Sequence, residues 1–261
     1  VTPRRIAGPA GSLSVVDVPG ASTDALPVVF VHGLAGNAAH WEAQFRHLAP
    51  SRRVVAVELR GHGGSEPPRD GDYSLEALAQ DVATAAEVLG LGRFVLVGHS
   101  ISGGVALACA AAWPERVAGL LLVDPMSDSR HFPEADKEAY IASLASDAYA
   151  RVIREDWLGM VGAVPEVRER LLRDLDATPK EAVVGIQRAH LCFDPVTALA
   201  RYPGPALSLV LPSNDTEHSF HRLGRGFPHQ VLREGSHWVH LERPGDVNRA
   251  LDGFLVSLRG G

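Results

Sequence analysis

Residues 94–104 read FVLVGHSISGG. Four apolar residues, Phe94 to Val97, run into Gly98, then Ser100 flanked by His99 and Ile101, then Ser102, Gly103, Gly104 and the small-residue run VALACAAA. The pattern reads as strand, sharp turn, helix. Reversing the chain within so few residues puts the turn residue in a strained conformation, tolerated only if its neighbours lack bulk. Such a turn lifts the Ser100 hydroxyl off the carboxyl edge of a sheet, beside a helix N-terminus whose free N–H groups can meet negative charge. This is the arrangement of a nucleophile elbow. It departs from the usual G-x-S-x-G pattern at one place, because the fifth position is Ser102.

Outward from the elbow, other short apolar runs repeat the signal: VVFV (Val28 to Val31), VVAV (Val54 to Val57), LLLV (Leu120 to Val123) and LSLVL (Leu207 to Leu211). Near-continuous apolarity is expected of parallel strands covered on both faces. A weaker strand is expected near Gln230 to Leu232, and two short β pieces around GPAG, within Arg4 to Val18, suit an antiparallel edge. Helical patterns lie between. Ser74 can cap a helix whose Leu75, Leu78, Val82, Ala85 and Leu89 recur at three- and four-residue intervals and which stops at Gly90. A last helix opens near Pro244. The alternation predicts an α/β fold with a mostly parallel twisted sheet and helices on both faces. Between Val123 and Leu207 no strand pattern appears, and so long a stretch must fold locally. Thr178, Pro179 and Glu181 are read as a capping box. Residues 128–203 are therefore expected to form a helical cap inserted into a core of residues 1–127 and 204–261, above the edge that carries Ser100.

A serine hydroxyl needs a base, and the base needs a group to orient it. Of twelve histidines, His237 in REGSHWVHLERP is best placed, after the last expected strand; His240, three residues on, is its competitor. His99 adjoins Ser100 but points elsewhere, and it is read with His32 and His62 as structural. For the orienting carboxylate, Asp215 follows the penultimate strand in LSLVLPSND, and Asp124 in LLLVDP follows the strand before it, with Asp128 just beyond. The order Ser, Asp, His with the acid after the penultimate strand is the commoner one and favours Asp215. Acyl transfer also needs two donors for an oxyanion. The N–H of Ile101 is one, and the turn HGLAGN after VVFV supplies the N–H of Leu34 as the other. Neither G-x-G-x-x-G nor a phosphate-binding G-x-x-x-x-G-K-[ST] occurs.

VFVHGLAGNAAHW, VELRGHGGSE, LVGHSISGG, LVLPSND and GSHWVHLERP, in this order, resemble the signature of the α/β-hydrolase superfamily, and within it the capped serine hydrolases of esterase and C–C hydrolase type. The resemblance covers almost all of the chain outside the cap. It implies Ser100 as nucleophile, His237 as base, Asp215 as acid, and Leu34 with Ile101 as oxyanion donors. Ser102 in place of glycine is similar to the GHSxS elbows of hydrolase-like hormone receptors and their bacterial relatives, and LPSND lacks the glycine that often precedes the acid.

The expected activity is hydrolysis of a carboxylic ester, lactone or thioester through an acyl-enzyme. The same groups could cleave an activated C–C bond or act as a cofactor-free haloperoxidase or perhydrolase, and the elbow also suits a slow-turnover ligand sensor. A dehalogenase or epoxide hydrolase is disfavoured because those relatives carry Asp at the elbow. Candidate pocket residues are Trp41, Met126, Trp157 and Trp238, and Arg188 and His190 could meet an acid group. His218 and His221 with Asp215 mimic a metal-ligand spacing, but without a nearby fourth ligand no metal is expected, and no cofactor.

Composition sets the remaining bounds. A length of 261 residues and 46% hydrophobic content suit one large α/β domain. A net charge of −6 with scattered Lys and Arg argues against nucleic acid as partner. No apolar run approaches the ~20 residues a bilayer requires, and the N-terminal segment has no secretory apolar core. Cys109 and Cys192 are the only cysteines, which favours a reducing cytoplasm. A monomer or homodimer acting on a small ester-type molecule is expected.

Overall fold

In a computed structural model of the chain, residues 2–22 and 24–258 are described. In chain order they form β1 (Arg4–Ala7), β2 (Ser12–Val18), β3 (Val28–Val31), α1 (Glu42–Leu48), β4 (Val54–Val57), α2 (Leu75–Val88), β5 (Phe94–His99), α3 (Ser102–Ala112) and β6 (Val117–Val123). Five helices follow: α4 (Glu134–Ala145), α5 (Tyr149–Met160), α6 (Pro165–Ala177), α7 (Lys180–Cys192) and α8 (Pro195–Arg201). The chain closes with β7 (Ala206–Val210), β8 (His229–Val231), α9 (Val239–Glu242) and α10 (Pro244–Ser257).

The eight strands make one sheet in the order β1-β2-β4-β3-β5-β6-β7-β8. β1 pairs antiparallel with β2, and β2 with β4; every other pair is parallel. The expected antiparallel edge, parallel centre and weak last strand are therefore observed. Every residue of β3, β4, β5 and β6 is buried, which is why these segments run almost continuously apolar rather than alternating, until Gly98 and His99 at the end of β5. Strand order reverses around β3, and at such a reversal the carboxyl ends of neighbouring strands open a crevice. No described helix is long and apolar enough to cross a membrane.

The helices follow local signals closely. Ser74 caps α2 by accepting from the Ala77 N–H at 3.2 Å, and Gly90 just past its end adopts φ +67°, the left-handed turn that glycine enters without strain. In α10, Val247, Leu251, Phe254 and Leu255 face the core. The expected capping box before α7 is corrected. Pro179, extended at ψ 135°, occupies the N-cap position, so the helix starts one residue later than expected. Thr178 then lies outside the helix, and its hydroxyl donates back to the Asp174 carbonyl at 2.8 Å.

The insertion between β6 and β7 is wholly helical among its regular elements. α8 packs along α3, and α7 packs on α4 and α2. Leu144, Ile153, Trp157, Leu171, Leu175, Val183 and Ile186 bury the apolar faces of these helices in the same core as α2 and α3.

Candidate active site

Ser100 follows directly on the last residue of β5 and takes φ +56°, a left-handed conformation that a side chain makes costly. Its surroundings enforce the turn. A Cβ on Gly98 would fall 2.3 Å from the Ser102 carbonyl oxygen, so only glycine lets strand and helix approach this closely. The Ser100 N–H donates to the Val123 carbonyl at 3.0 Å, tying the elbow to the end of β6.

The Ser100 hydroxyl lies 2.7 Å from His237 Nε2, and His237 Nδ1 lies 2.6 Å from Asp124 Oδ2. A carboxylate only accepts, so Nδ1 carries the proton and Nε2 is left to accept from Ser100. Asp124 is completely buried, with φ +42°, at the end of β6. Three donors converge on its oxygens: His237, the Leu211 N–H at 2.9 Å and the Asn214 amide at 2.8 Å.

The expectation that Asp215 orients His237 is corrected by this geometry. Asp215 turns away and pairs with Arg222 at 2.6 Å and His221 at 3.1 Å. The Arg222 guanidinium, with His221, holds its carboxyl below the usual range. The histidine that completes this group is His229, on β8, rather than His218; ligand atoms of Asp215, His221 and His229 lie within 4.8 Å of one another. Arg222 and His221 both meet Oδ1 of Asp215, and His229 faces Oδ2 at 3.9 Å. His218 instead stacks on His131, ring centroids 3.6 Å apart.

Leu34 and Ile101 border the same cavity as Ser100 and His237. Among the described residues neither backbone N–H meets an acceptor in the protein, so both remain available to an oxyanion. The turn that presents Leu34 is braced by two buried histidines. His32 donates from Nδ1 to the Gly33 carbonyl at 2.7 Å and accepts from the Leu59 N–H at 3.1 Å. His62 donates to the Arg60 carbonyl and accepts from the Ala35 N–H, both at 3.1 Å. Acceptance at Nε2 requires neutral rings, and burial supplies that: it pushes His62 down to about 4 and His32 well below its ordinary range.

Ser102, the departure from the elbow pattern, has a structural role. Its hydroxyl donates to the His32 carbonyl at 2.5 Å, joining α3 to the Leu34 turn. Glycine at this position would leave that carbonyl without its partner. His99 is buried and donates from Nε2 to the His237 carbonyl at 2.9 Å, fixing the loop that carries His237. His240 packs 4.3 Å from the His99 ring and does not reach Ser100.

The cavity over Ser100 has a volume of about 300 Å³ and is mainly apolar, with Met126, Trp157 and Trp238 in its walls. Trp41, the fourth candidate pocket residue, is corrected: it is fully buried beneath the sheet, 4.9 Å from the Phe30 ring. Arg188 is exposed, and His190 is buried against the Ser129 hydroxyl at 3.1 Å, so neither borders the cavity. The roles of Ser102 and Asn214 escaped the sequence reading. An extra hydroxyl in a glycine's place was the available signal for the first; none existed for Asn214.

The geometry agrees with comparisons to known proteins. The family model described as alpha/beta hydrolase fold matches residues 27–217. The chain belongs to the α/β-hydrolase family, and it is a hydrolase. It is 31% identical over 254 residues to the sn-1-specific diacylglycerol lipase ABHD11 of Mus musculus, spanning 88% of this chain and 80% of that protein. A thermophilic esterase from Thermogutta terrifontis superposes with a TM-score of 0.84 at 26% identity, covering 99% of each chain. The enol-lactonase of Burkholderia xenovorans LB400 gives 0.84 at 20% identity over 97% of this chain and 100% of that one, a likeness of fold.

Proposed function

We propose that this hydrolase cleaves a carboxylic ester, lactone or thioester through an acyl-enzyme, with Ser100 as nucleophile, His237 as general base and Asp124 as the acid that orients it. The observation that carries the reading is the continuous run from Ser100 Oγ to His237 Nε2 at 2.7 Å and from Nδ1 to Asp124 at 2.6 Å, set on a strained elbow beside two free N–H groups. His237 takes the Ser100 proton as Oγ bonds the carbonyl carbon, and the Leu34 and Ile101 N–H groups receive the oxyanion. The imidazolium gives its proton to the departing alkoxide or thiolate, which leaves as the alcohol or thiol, and the acyl group stays on Ser100. Water, deprotonated by the same ring, then releases the acid and restores the serine. Asp124 keeps the ring in the required tautomer throughout.

The resemblance to a diacylglycerol lipase and to an esterase supports an ester as substrate. Helices α4 to α8 act as a cap in this reading, limiting the acyl portion to what a cavity of about 300 Å³ admits. The bond from Ser102 to the His32 carbonyl explains that residue within a turnover-competent enzyme, so the sensor reading loses its motive.

The test is hydrolysis of p-nitrophenyl acetate and butyrate. Ser100→Ala should abolish it with the circular dichroism spectrum unchanged, and a fluorophosphonate should label Ser100 alone in the wild-type chain. Retained turnover in Ser100→Ala would refute the mechanism.

A further inference from the structure

Away from Ser100, His99 and His237 the cavity is walled by apolar side chains, except on its cap side, where Tyr140 of α4, Asp156 of α5 and Gln187 of α7 face it together. Gln187 Nε2 donates to the Tyr140 oxygen at 3.3 Å, and the Tyr140 hydroxyl donates to Asp156 Oδ2 at 2.9 Å. The run ends on a carboxylate. Among the described residues Asp156 Oδ1 receives no hydrogen bond, and no Lys, Arg or His pairs with this side chain. Burial pushes the Asp156 carboxyl up, and neighbouring Glu155 adds to the effect.

Asp156 is half-buried, so water still reaches it, but it borders the cavity without a counter-charge, and a cationic ligand group placed there gains a charge-assisted hydrogen bond. We propose that Asp156, oriented by Tyr140, recognises a primary ammonium group on the substrate, carried at the end remote from the scissile carbonyl. Ser100 and Asp156 border one cavity of about 300 Å³, so one small molecule in it can meet both. The inference rests on the hydrolytic reading for its chemistry and on Asp156 alone for its specificity. A carboxylate-terminated substrate is excluded by like charge, and an alkyl-terminated one leaves Oδ1 unmatched.

Two esters of equal length decide the matter: p-nitrophenyl 6-aminohexanoate and p-nitrophenyl heptanoate. The ratio of their kcat/KM values should favour the ammonium ester about tenfold to a hundredfold in the wild-type chain, the range of a charge-assisted contact. It should fall to about one in Asp156→Asn, and Asp156→Lys should favour the mono-p-nitrophenyl ester of adipic acid instead. A wild-type ratio at or below one, or the same ratio in Asp156→Asn, overturns the proposal. Binding of n-hexylammonium against 1-hexanol, followed by quenching of tryptophan fluorescence, gives a readout free of catalysis. Selective binding that Asp156→Asn abolishes upholds the recognition site even if no ester is hydrolysed, in which case it is the catalytic reading that fails. Equal binding of the two ligands overturns it.

Discussion

Asp124 Oδ2 lies 2.6 Å from His237 Nδ1, while Asp215, on the loop after β7, is held 2.6 Å from Arg222. Both aspartates follow the carboxyl end of a strand, but only Asp124 is buried beside His237. Asp124→Asn should lower kcat by about four orders of magnitude, because an amide N–H facing Nδ1 selects the wrong tautomer. Asp215→Asn should change kcat less than about threefold, with any loss appearing in thermal stability. Steady-state kinetics on p-nitrophenyl butyrate compare the two, and a larger loss in Asp215→Asn would reverse the assignment.

Ser102 links the elbow helix to the turn that presents Leu34. Removing its hydroxyl leaves the buried His32 carbonyl without this donor, which costs about 1–3 kcal/mol of stability. The Leu34 N–H then loses its fixed position relative to the Ile101 N–H. Ser102→Ala should lower kcat about tenfold with little change in KM, short of the ~10²-fold or more seen when an oxyanion donor is removed outright. An unchanged kcat in a destabilised protein would confine Ser102 to a purely structural part.

Acid should unfold the chain early. Burial pushes His62 and His190 down to about 4 from the ordinary 6.5. Between pH 6.5 and 4 the unfolded chain therefore binds these protons and the folded chain does not, so stability falls as pH falls through that window. Each of the two subtracts roughly 3 kcal/mol by pH 4. His32, His99 and His240, also buried and lowered, act in the same direction. Thermal melts from pH 7 to 4 should show a steady fall in Tm that is shallower in His190→Gln. A Tm independent of pH over that range would show that these rings are hydrated or paired in solution.

Much of the site could be read from the chain because its parts are local. The Ser100 elbow, the Leu34 turn and the position of His237 each depend on a few consecutive residues whose sizes dictate the backbone. The pocket could not be read this way. Trp41 and Trp157 are equally large and apolar, yet one packs under Phe30 and the other, on α5 of the insertion, lines the cavity, a difference decided only by how distant elements pack together. The capping box at Thr178 failed for a smaller reason, because Pro179 took the cap position itself.

Apolar runs of strand length, small residues at the elbow and helical periodicity were enough to give the α/β architecture and to single out Ser100 and His237 as candidates, since backbone sterics and burial act over short stretches of chain. The choice between Asp124 and Asp215 belongs to the tertiary structure alone. Once β6 lies beside β5, Asp124 meets the His237 loop and collects donors from Leu211 and Asn214, 87 and 90 positions further along the chain. Asp215 meanwhile finds Arg222 only seven residues on, and a carboxylate already neutralised by a guanidinium is not free to serve a distant imidazole.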